Sequence, residues 1–269
     1  MPWRPTTSWS PFPPRTRQAQ FDEEWAFVAK KEARCDRDDP ADDNKGDYWD
    51  HVAFDPEHRL VVVVVPGARD VENTEALVTE FRQRTGGRTM DLMTSDSYPA
   101  YETAILAAYG ETVTPPRTGK PGRPKAPYTV PRAGLTSATV EKRREKGRVV
   151  AILTRVIFGT MAAVAEALAR AGTGRTINTS FVERLNATDR RHNARESRKT
   201  YRFSKDLRYH EAVTYFTMYS DNFCWPVRTL RRPAEEGRWE RRTPAMAAGL
   251  TDHVWSLSEW ITFPVVLRS

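Results

Sequence analysis

The chain has 269 residues, enough for one large domain or two small ones with a sizeable core. Its formal net charge of +7 predicts an anionic partner, and nucleic acid is favoured over a membrane surface. No apolar run approaches the roughly 20 residues of a membrane-spanning helix, no secretory signal pattern is present, and two cysteines cannot form a zinc knuckle. We therefore expect a soluble, cytoplasmic protein without a membrane partner.

The first half of the chain alternates between strand and helix patterns. Residues 1–15 are rich in proline and lack a periodic apolar pattern, so they are predicted to be disordered. β-Branched and aromatic runs then predict strands, and apolar residues at helical spacing predict helices. In chain order these are a strand over 20–31, a hairpin over 48–55 and 59–67, a helix that Asn73 or Thr74 caps and that ends near Arg84, a strand over 88–96 and a helix over 98–110.

The second half adds a basic, proline- and glycine-rich segment over 111–148, which predicts an extended arm inserted into the domain. A strand over 147–159 and an Ala-rich helix over 160–172 follow. The loop-rich tail over 226–269 is expected to pack on the domain through its tryptophans. Two more helices are predicted, one from about 178–180 and one over about 207–222.

This order describes a three-stranded meander followed by alternating helices and strands. It predicts a mixed five-stranded α/β sheet with helices on both faces, the inserted arm and the tail being additions to it. If the first and fourth strands are neighbours, carboxylates on the first strand and at the end of the fourth lie side by side. A later helix that crosses the sheet can add a third carboxylate.

Three acidic residues fit those places: Asp22, Asp96 and Glu183. Glu183 lies near the start of the most basic stretch of the chain, "NTSFVERLNATDRRHNARESRKTYRFSK", where one carboxylate among many cations suits a metal beside a phosphate. Three carboxylates can hold two divalent ions for phosphoryl transfer, and Mg²⁺ needs few protein ligands because it keeps its waters. Asn186 and Arg190 follow at i+3 and i+7, on the same helix face.

Plainer interpretations exist for each of these residues. Glu183 can be a surface salt-bridge residue, and Asp96 can cap the next helix. On a strand, neighbouring side chains face opposite ways, so Glu23 is expected to point away from Asp22. Glu24 shares the face of Asp22 and is either a minor metal ligand or, as we expect, a solvated charge. The basic residues between Lys142 and Arg148 are either a solvated turn or a contact to DNA.

Three motifs, "FDEEW", "TSDSYPAY" and "FVERLNATDRRHNARESRKTYRFSK", together resemble the catalytic domain of the IS-one-like bacterial insertion-sequence transposases. The resemblance covers about residues 16–225 and implies an RNase H-like fold whose DDE triad matches Asp22, Asp96 and Glu183. It implies two Mg²⁺ or Mn²⁺ ions and a nucleoid-associated enzyme that cleaves element ends and joins them to target DNA. The DNA-binding positions that it implies, together with the basic residues of the third motif, are Arg184, Asn186, Arg190, Arg191, Arg195, Arg198, Lys199 and Lys205.

The chain departs from the family pattern in three ways. Leu185 stands where the family usually has histidine, the interval from Asp96 to Glu183 is long, and the family's upstream zinc-binding and helix-turn-helix region has no counterpart. The chain is therefore expected to be a truncated copy or the downstream half of a frameshifted protein, with itself and an upstream-frame DNA-binding product as candidate partners. A metal-dependent nuclease or resolvase without strand transfer, and an inactive DNA-binding remnant, are the alternative functions.

Overall fold

The computed structural model describes residues 16–116 and 125–263, so the disorder predicted over 1–15 lies outside the described residues. The strands are β1 (Gln18–Val28), β2 (Gly46–Asp55), β3 (Leu60–Gly67), β4 (Leu92–Asp96), β5 (Gly110–Val113), β6 (Tyr128–Pro131), β7 (Ser137–Glu145), β8 (Arg148–Phe158), β9 (Arg232–Pro233) and β10 (Trp239–Glu240). The helices are α1 (Val71–Arg84), α2 (Ala100–Tyr109), α3 (Met161–Ala171), α4 (Ser180–His192), α5 (Leu207–Cys224), α6 (Pro244–Ala247) and α7 (Leu257–Thr262).

The main sheet is mixed and has six strands in the order β3-β2-β1-β4-β7-β8. β1 is antiparallel to β2 and parallel to β4, β4 is parallel to β7, and β8 returns antiparallel to β7. The predicted α/β class is confirmed, and the predicted count of five strands is wrong because β7 was not recognised. β1 and β4 are neighbours, as the side-by-side placement of the first and fourth strands required.

The segment over 111–148 is the main departure from the sequence prediction. Instead of one inserted arm, the structure places residues 137–145 in the sheet as β7, between β4 and β8. The start of this strand is buried, whereas its basic second half is mostly exposed in a hairpin with β8. Before it, β5 and β6 pair as a short separate hairpin. The charged run "EKRRE" is therefore the exposed end of β7, where the strand extends beyond the part of the sheet that the helices cover.

α1 and α2 cover one face of the sheet. Their apolar residues pack with the side chains of Phe21, Ala53 and Met93, and Phe21 lies against the rings of Phe81 and Tyr101. α1 begins earlier than the sequence predicted, because Asp70 is the N-cap and its carboxylate accepts a hydrogen bond from the backbone N–H of Asn73 at 2.8 Å.

α3, α4 and α5 cover the other face. Val52 and Val64 pack against Val182 of α4 and Met218 of α5, and α3 packs on β4 and β7. α3 ends at Gly172, which adopts the left-handed conformation that glycine tolerates without strain. Helices therefore lie on both faces, as predicted, and α4 passes directly over β1.

The tail contacts α5 through an aromatic group. Trp255 and Trp260 pack against Phe223 with ring centroids 4.8 and 5.3 Å away, whereas Trp239, also expected as an anchor, is 53% exposed. Of the described helices, none combines the length and the apolar character that a membrane crossing needs.

Candidate metal centre in a basic cleft

The first two predicted carboxylates meet where β4 ends beside β1. Phe21 pairs with Ser95 in the parallel register, and the next residues along the two strands are Asp22 and Asp96. Asp22, Glu23 and Asp96 each offer one carboxylate oxygen, and these oxygens lie within 4.8 Å of one another. The sheet thus brings together two acids that are far apart in the sequence.

Glu183 approaches the same place from the first turn of α4. Its carboxylate accepts a hydrogen bond from the hydroxyl of Thr179 at 2.6 Å, and the ammonium group of Lys142 on β7 contacts both of its oxygens. The side chain remains 39% exposed. Glu183 therefore faces the cleft beside Asp22 and Asp96, while a lysine neutralises its charge.

Asp22 is the most perturbed member of the predicted triad. Asn186, one turn after Glu183 on α4, donates a hydrogen bond from its amide to Asp22 Oδ2 at 2.8 Å. Burial, followed by repulsion from Glu23, Asp96 and Glu183, raises the pKa of Asp22 to about 7. Asp96 and Glu183 are thus close enough to Asp22 for their charges to disfavour its ionised form.

Glu23 belongs to this group as well, although the strand alternation predicted that it would point away. β1 continues past the end of β4, so the long side chain of Glu23 reaches around the strand end towards Asp96. Burial, then repulsion from Asp96, raises its pKa to about 7. Arg69 joins the two acids, with Nη2 3.4 Å from Glu23 and 3.2 Å from Asp96.

Arg69 gave no sequence signal of its own. It lies in the loop between β3 and α1, and its guanidinium packs over the rings of Tyr98 and Trp49, 4.4 and 5.0 Å from their centroids. Only the tertiary structure brings this loop to the end of β4, so no local pattern could have identified it.

Glu24 was expected to be solvated, and that prediction is wrong. Its side chain is fully buried under α4, with Oε1 2.6 Å from Nε of Arg190. Burial and the charge of Asp189 raise the pKa of Glu24 to about 9, although Arg190 opposes the shift. The alternation correctly placed Glu24 on the face of Asp22, but the sequence does not show that a helix covers that face.

The carboxylates of Asp22, Glu23, Asp96 and Glu183 line a cleft of about 740 Å³. Lys142, Arg144, Arg190 and Arg198 line it as well, so the acids lie among cations. Of the predicted DNA-binding residues, Asn186 also lines the cleft but is buried, and its amide orients Asp22 rather than reaching the surface. The other predicted positions do not line the cleft; they are Arg184, Arg191, Lys199 and Lys205, which are exposed, and Arg195, which is half-buried.

The donor set suits a divalent cation held by oxygen. Asp22, Asp96 and Glu183 supply hard carboxylate oxygens. The buried Glu23 carboxylate lies beside the Tyr101 hydroxyl, with His51 Nδ1 3.9 Å from Oε1. Long cationic side chains neutralise the acids here, and they can turn aside because their far ends are partly exposed. A bound ion would offset both the burial and the neighbouring negative charges that raise the pKa of Asp22.

Comparison with known proteins adds no identity. No protein-family model matches the chain, and a search of curated proteins finds no match. The geometry of the cleft therefore carries the functional argument.

Proposed function

We propose that this protein is a DNA transposase whose cleft cuts and joins DNA strands with two divalent ions, Mg²⁺ or Mn²⁺. Asp22, Asp96 and Glu183 would hold the ions. The observation that carries the proposal is the convergence of these three carboxylates in one basic-lined cleft from β1, β4 and α4. Among 35 acidic residues, the three that resemble a DDE triad line one cleft.

The strand order supports the same proposal. Three antiparallel strands followed by parallel β4 and β7 are compatible with an RNase H-like sheet, in which we place β8 as an added edge strand. The site lies at the carboxyl end of β4, where side chains from neighbouring strands converge. The class of fold alone would not argue for the chemistry, because one fold serves many functions.

A pair of divalent ions held there supplies Lewis-acid activation of the attacking oxygen and charge stabilisation at the leaving oxygen. The protein orients the ligands: Asn186 fixes Asp22, Thr179 fixes Glu183, and the backbone N–H of Tyr98 donates to Asp96 Oδ1 at 2.9 Å. The cations at the rim bind the phosphate backbone on either side of the reacting phosphate.

The test of this proposal is Mg²⁺- or Mn²⁺-dependent nicking of supercoiled plasmid, with joining of a labelled 3′-hydroxyl oligonucleotide to the plasmid as a second readout. Asp96→Asn keeps the size of the side chain and removes a charged ligand, so it should abolish both products. Asp91→Asn is the matched control, because Asp91 lies just before β4 and pairs with Arg170 at 3.6 Å. Full activity of Asp96→Asn would contradict the proposal.

The products also separate the proposal from its nearest alternative. A transposase forms joined DNA, whereas a nuclease with the same three carboxylates leaves nicks alone. The assay is repeated with DNA that flanks the gene. If metal-dependent nicking occurs there without joining, the protein is a hydrolytic nuclease that uses the same three carboxylates, not a transposase.

A further inference from the structure

A second set of titratable side chains lies beneath α4 and α5, away from the cleft. Asp50 is on β2, Glu196 is in the segment between α4 and α5, and His210 is in the first turn of α5. All three are buried, with at most 7% of each residue exposed. Each offers one ligand atom, and these three atoms lie within 4.8 Å of one another.

The hydrogen bonds around this set leave one buried atom of each residue without a well-formed hydrogen bond. The Thr214 hydroxyl lies 3.3 Å from Asp50 Oδ2 and 3.2 Å from Glu196 Oε1, and the Asn193 amide also donates to Glu196 Oε1. Asp50 Oδ1, Glu196 Oε2 and His210 Nε2 have no hydrogen bond of good geometry to a described residue, although Asp189 lies beside the Glu196 carboxylate. His210 Nε2 and Asp50 Oδ1 face one another as an ion pair at 3.3 Å, and one Glu196 oxygen lies within 4.8 Å of both ligand atoms.

The surroundings are rich in negative charge. Glu24 lies directly opposite Asp50 in the register of β1 and β2, and Glu24, Asp189 and Glu196 form a second group of acids within 4.8 Å. Like charges placed opposite each other on paired strands destabilise a sheet, and buried carboxylates are costly unless a cation or a hydrogen bond compensates them. Arg190 pairs with Glu24. Within the described residues, no hydrogen bond or ion pair joins Arg190 to Asp50, Glu196 or His210.

We propose that Asp50, Glu196 and His210 bind a divalent transition-metal ion, with Zn²⁺ as the representative, at a buried structural site. Imidazole together with carboxylates is a ligand set of Zn²⁺ and its neighbours, whereas Mg²⁺ prefers oxygen donors. The site joins β2, α5 and the segment that carries Arg198. It therefore holds one basic wall of the cleft in place, and it exists whether or not the cleft transfers strands.

The competing explanation is that the buried acids share protons and bind no metal. The metal content of the purified protein distinguishes these two explanations. The experiment uses the full chain carrying Asp96→Asn, so that zinc in the cleft does not obscure the count. After incubation with ZnCl₂ and dialysis, mass spectrometry should find about one zinc per chain. Zinc should raise the melting temperature by roughly 5 °C, and equimolar MgCl₂ should not.

His210→Gln and Glu196→Gln, added separately, should remove both the bound zinc and the thermal shift. The matched control is His58→Gln, because His58 also contacts an aspartate, with Nδ1 2.7 Å from Asp55 Oδ2, but belongs to no such group of ligands among the residues that the structure describes. Far-ultraviolet circular dichroism checks that each variant is folded.

Zinc retained by His210→Gln and Glu196→Gln would overturn the proposal, and so would an Asp96→Asn chain that takes up no zinc. If the variants fail to fold, titration of the Asp96→Asn chain with Co²⁺ decides the question instead. A visible absorption band that zinc abolishes supports the site, and no band means that the acids share protons.

Discussion

The cleft and the buried cluster of Glu24, Asp50, Asp189, Glu196 and His210 both draw on β1 and α4 but differ in what compensates their charge. β1 supplies Asp22 to the cleft and Glu24 to the buried side, and α4 places Asn186 over the first and Arg190 over the second. In the cleft, partly exposed Lys142 and Arg69 neutralise the acids with long side chains. In the buried cluster, the short side chains of Thr214 and Asn193 donate hydrogen bonds to the carboxylates, and His210 supplies an imidazole nitrogen.

This difference determines which ligand each group suits. Long cations can turn away when a substrate and its ions enter, so the cleft suits exchangeable ions. Short buried donors remain in place, so the cluster suits a permanent ion or a fixed set of protons. The predictions below test this contrast, starting with the variant that should separate the two groups most.

Glu183→Gln and Glu24→Gln change one carboxylate of each group to the same amide. Glu183→Gln should reduce cleavage by roughly 10³-fold, because a metal ligand worth several kcal/mol of charge stabilisation is weakened. Glu24→Gln should keep cleavage within about fivefold, because the pKa of Glu24 is raised to about 9 and glutamine resembles its protonated form. Initial nicking rates at saturating Mg²⁺ measure both.

Melting curves of the two variants provide the control. Both should unfold close to the temperature of the unaltered chain, since neither change opens a cavity. Equal loss of cleavage in both variants would remove the functional distinction between cleft and cluster.

Stability should fall as the pH rises in a chelator. Burial raises the pKa of Asp22 from 3.8, and that of Glu23 from 4.5, to about 7, so the folded state holds protons more tightly than the unfolded state. Their stabilisation is therefore fully present below pH 4 and is lost as the pH rises through about 7. The free energy of unfolding should fall by a few kcal/mol over this range, because each pH unit by which folding raises a pKa corresponds to about 1.4 kcal/mol.

Thermal unfolding between pH 5 and pH 8 with EDTA measures that slope. MgCl₂ should restore part of the stability at pH 8, because a bound ion favours the ionised acids, and Asp22→Asn should flatten the slope. A slope of the opposite sign would contradict the raised pKa values in the cleft.

The sequence predicted the cleft better than it predicted its surroundings. Local signals placed Asp22, Asp96 and Glu183 on strands and a helix, and the family resemblance singled them out among 35 acidic residues; the structure brings them into one cleft. Glu24 was placed on the correct face of β1. α4 covers that face, and it lies more than 150 residues after Glu24 in the sequence. The burial of Glu24 therefore had no local sequence signal.

The sheet shows the same limit. Strands with apolar runs such as β3 were predicted, whereas β7 was interpreted as a basic arm because half of it projects beyond the covered sheet. Its pairing with β4 and β8, rather than its composition, makes it a strand. Lys142 enters the cleft through these pairings, whereas Arg69 enters it through the loop between β3 and α1.

Lys142→Gln tests the exchangeable cation of the cleft. The ammonium group competes with a metal for both oxygens of Glu183, so its removal should lower the Mg²⁺ concentration for half-maximal nicking by about fivefold, or about 1 kcal/mol. Lys146→Gln, in the exposed turn between β7 and β8, should leave it unchanged. A higher Mg²⁺ requirement would mean that Lys142 orients Glu183 instead of competing with the ion.

Arg198→Ala should give the smallest effect, because it removes one phosphate contact from a surface that has several. Arg198 lines the cleft, whereas Arg208, which is paired with Asp206 at 3.1 Å, does not and serves as the control. Since each neutralised phosphate releases about one condensed counterion, Arg198→Ala should reduce the slope of log affinity against log salt by about one. Fluorescence anisotropy with labelled DNA over a range of NaCl concentrations measures the slope. An unchanged slope for Arg198→Ala, or an equal reduction for Arg208→Ala, would mean that DNA does not follow the cleft wall that the buried cluster supports.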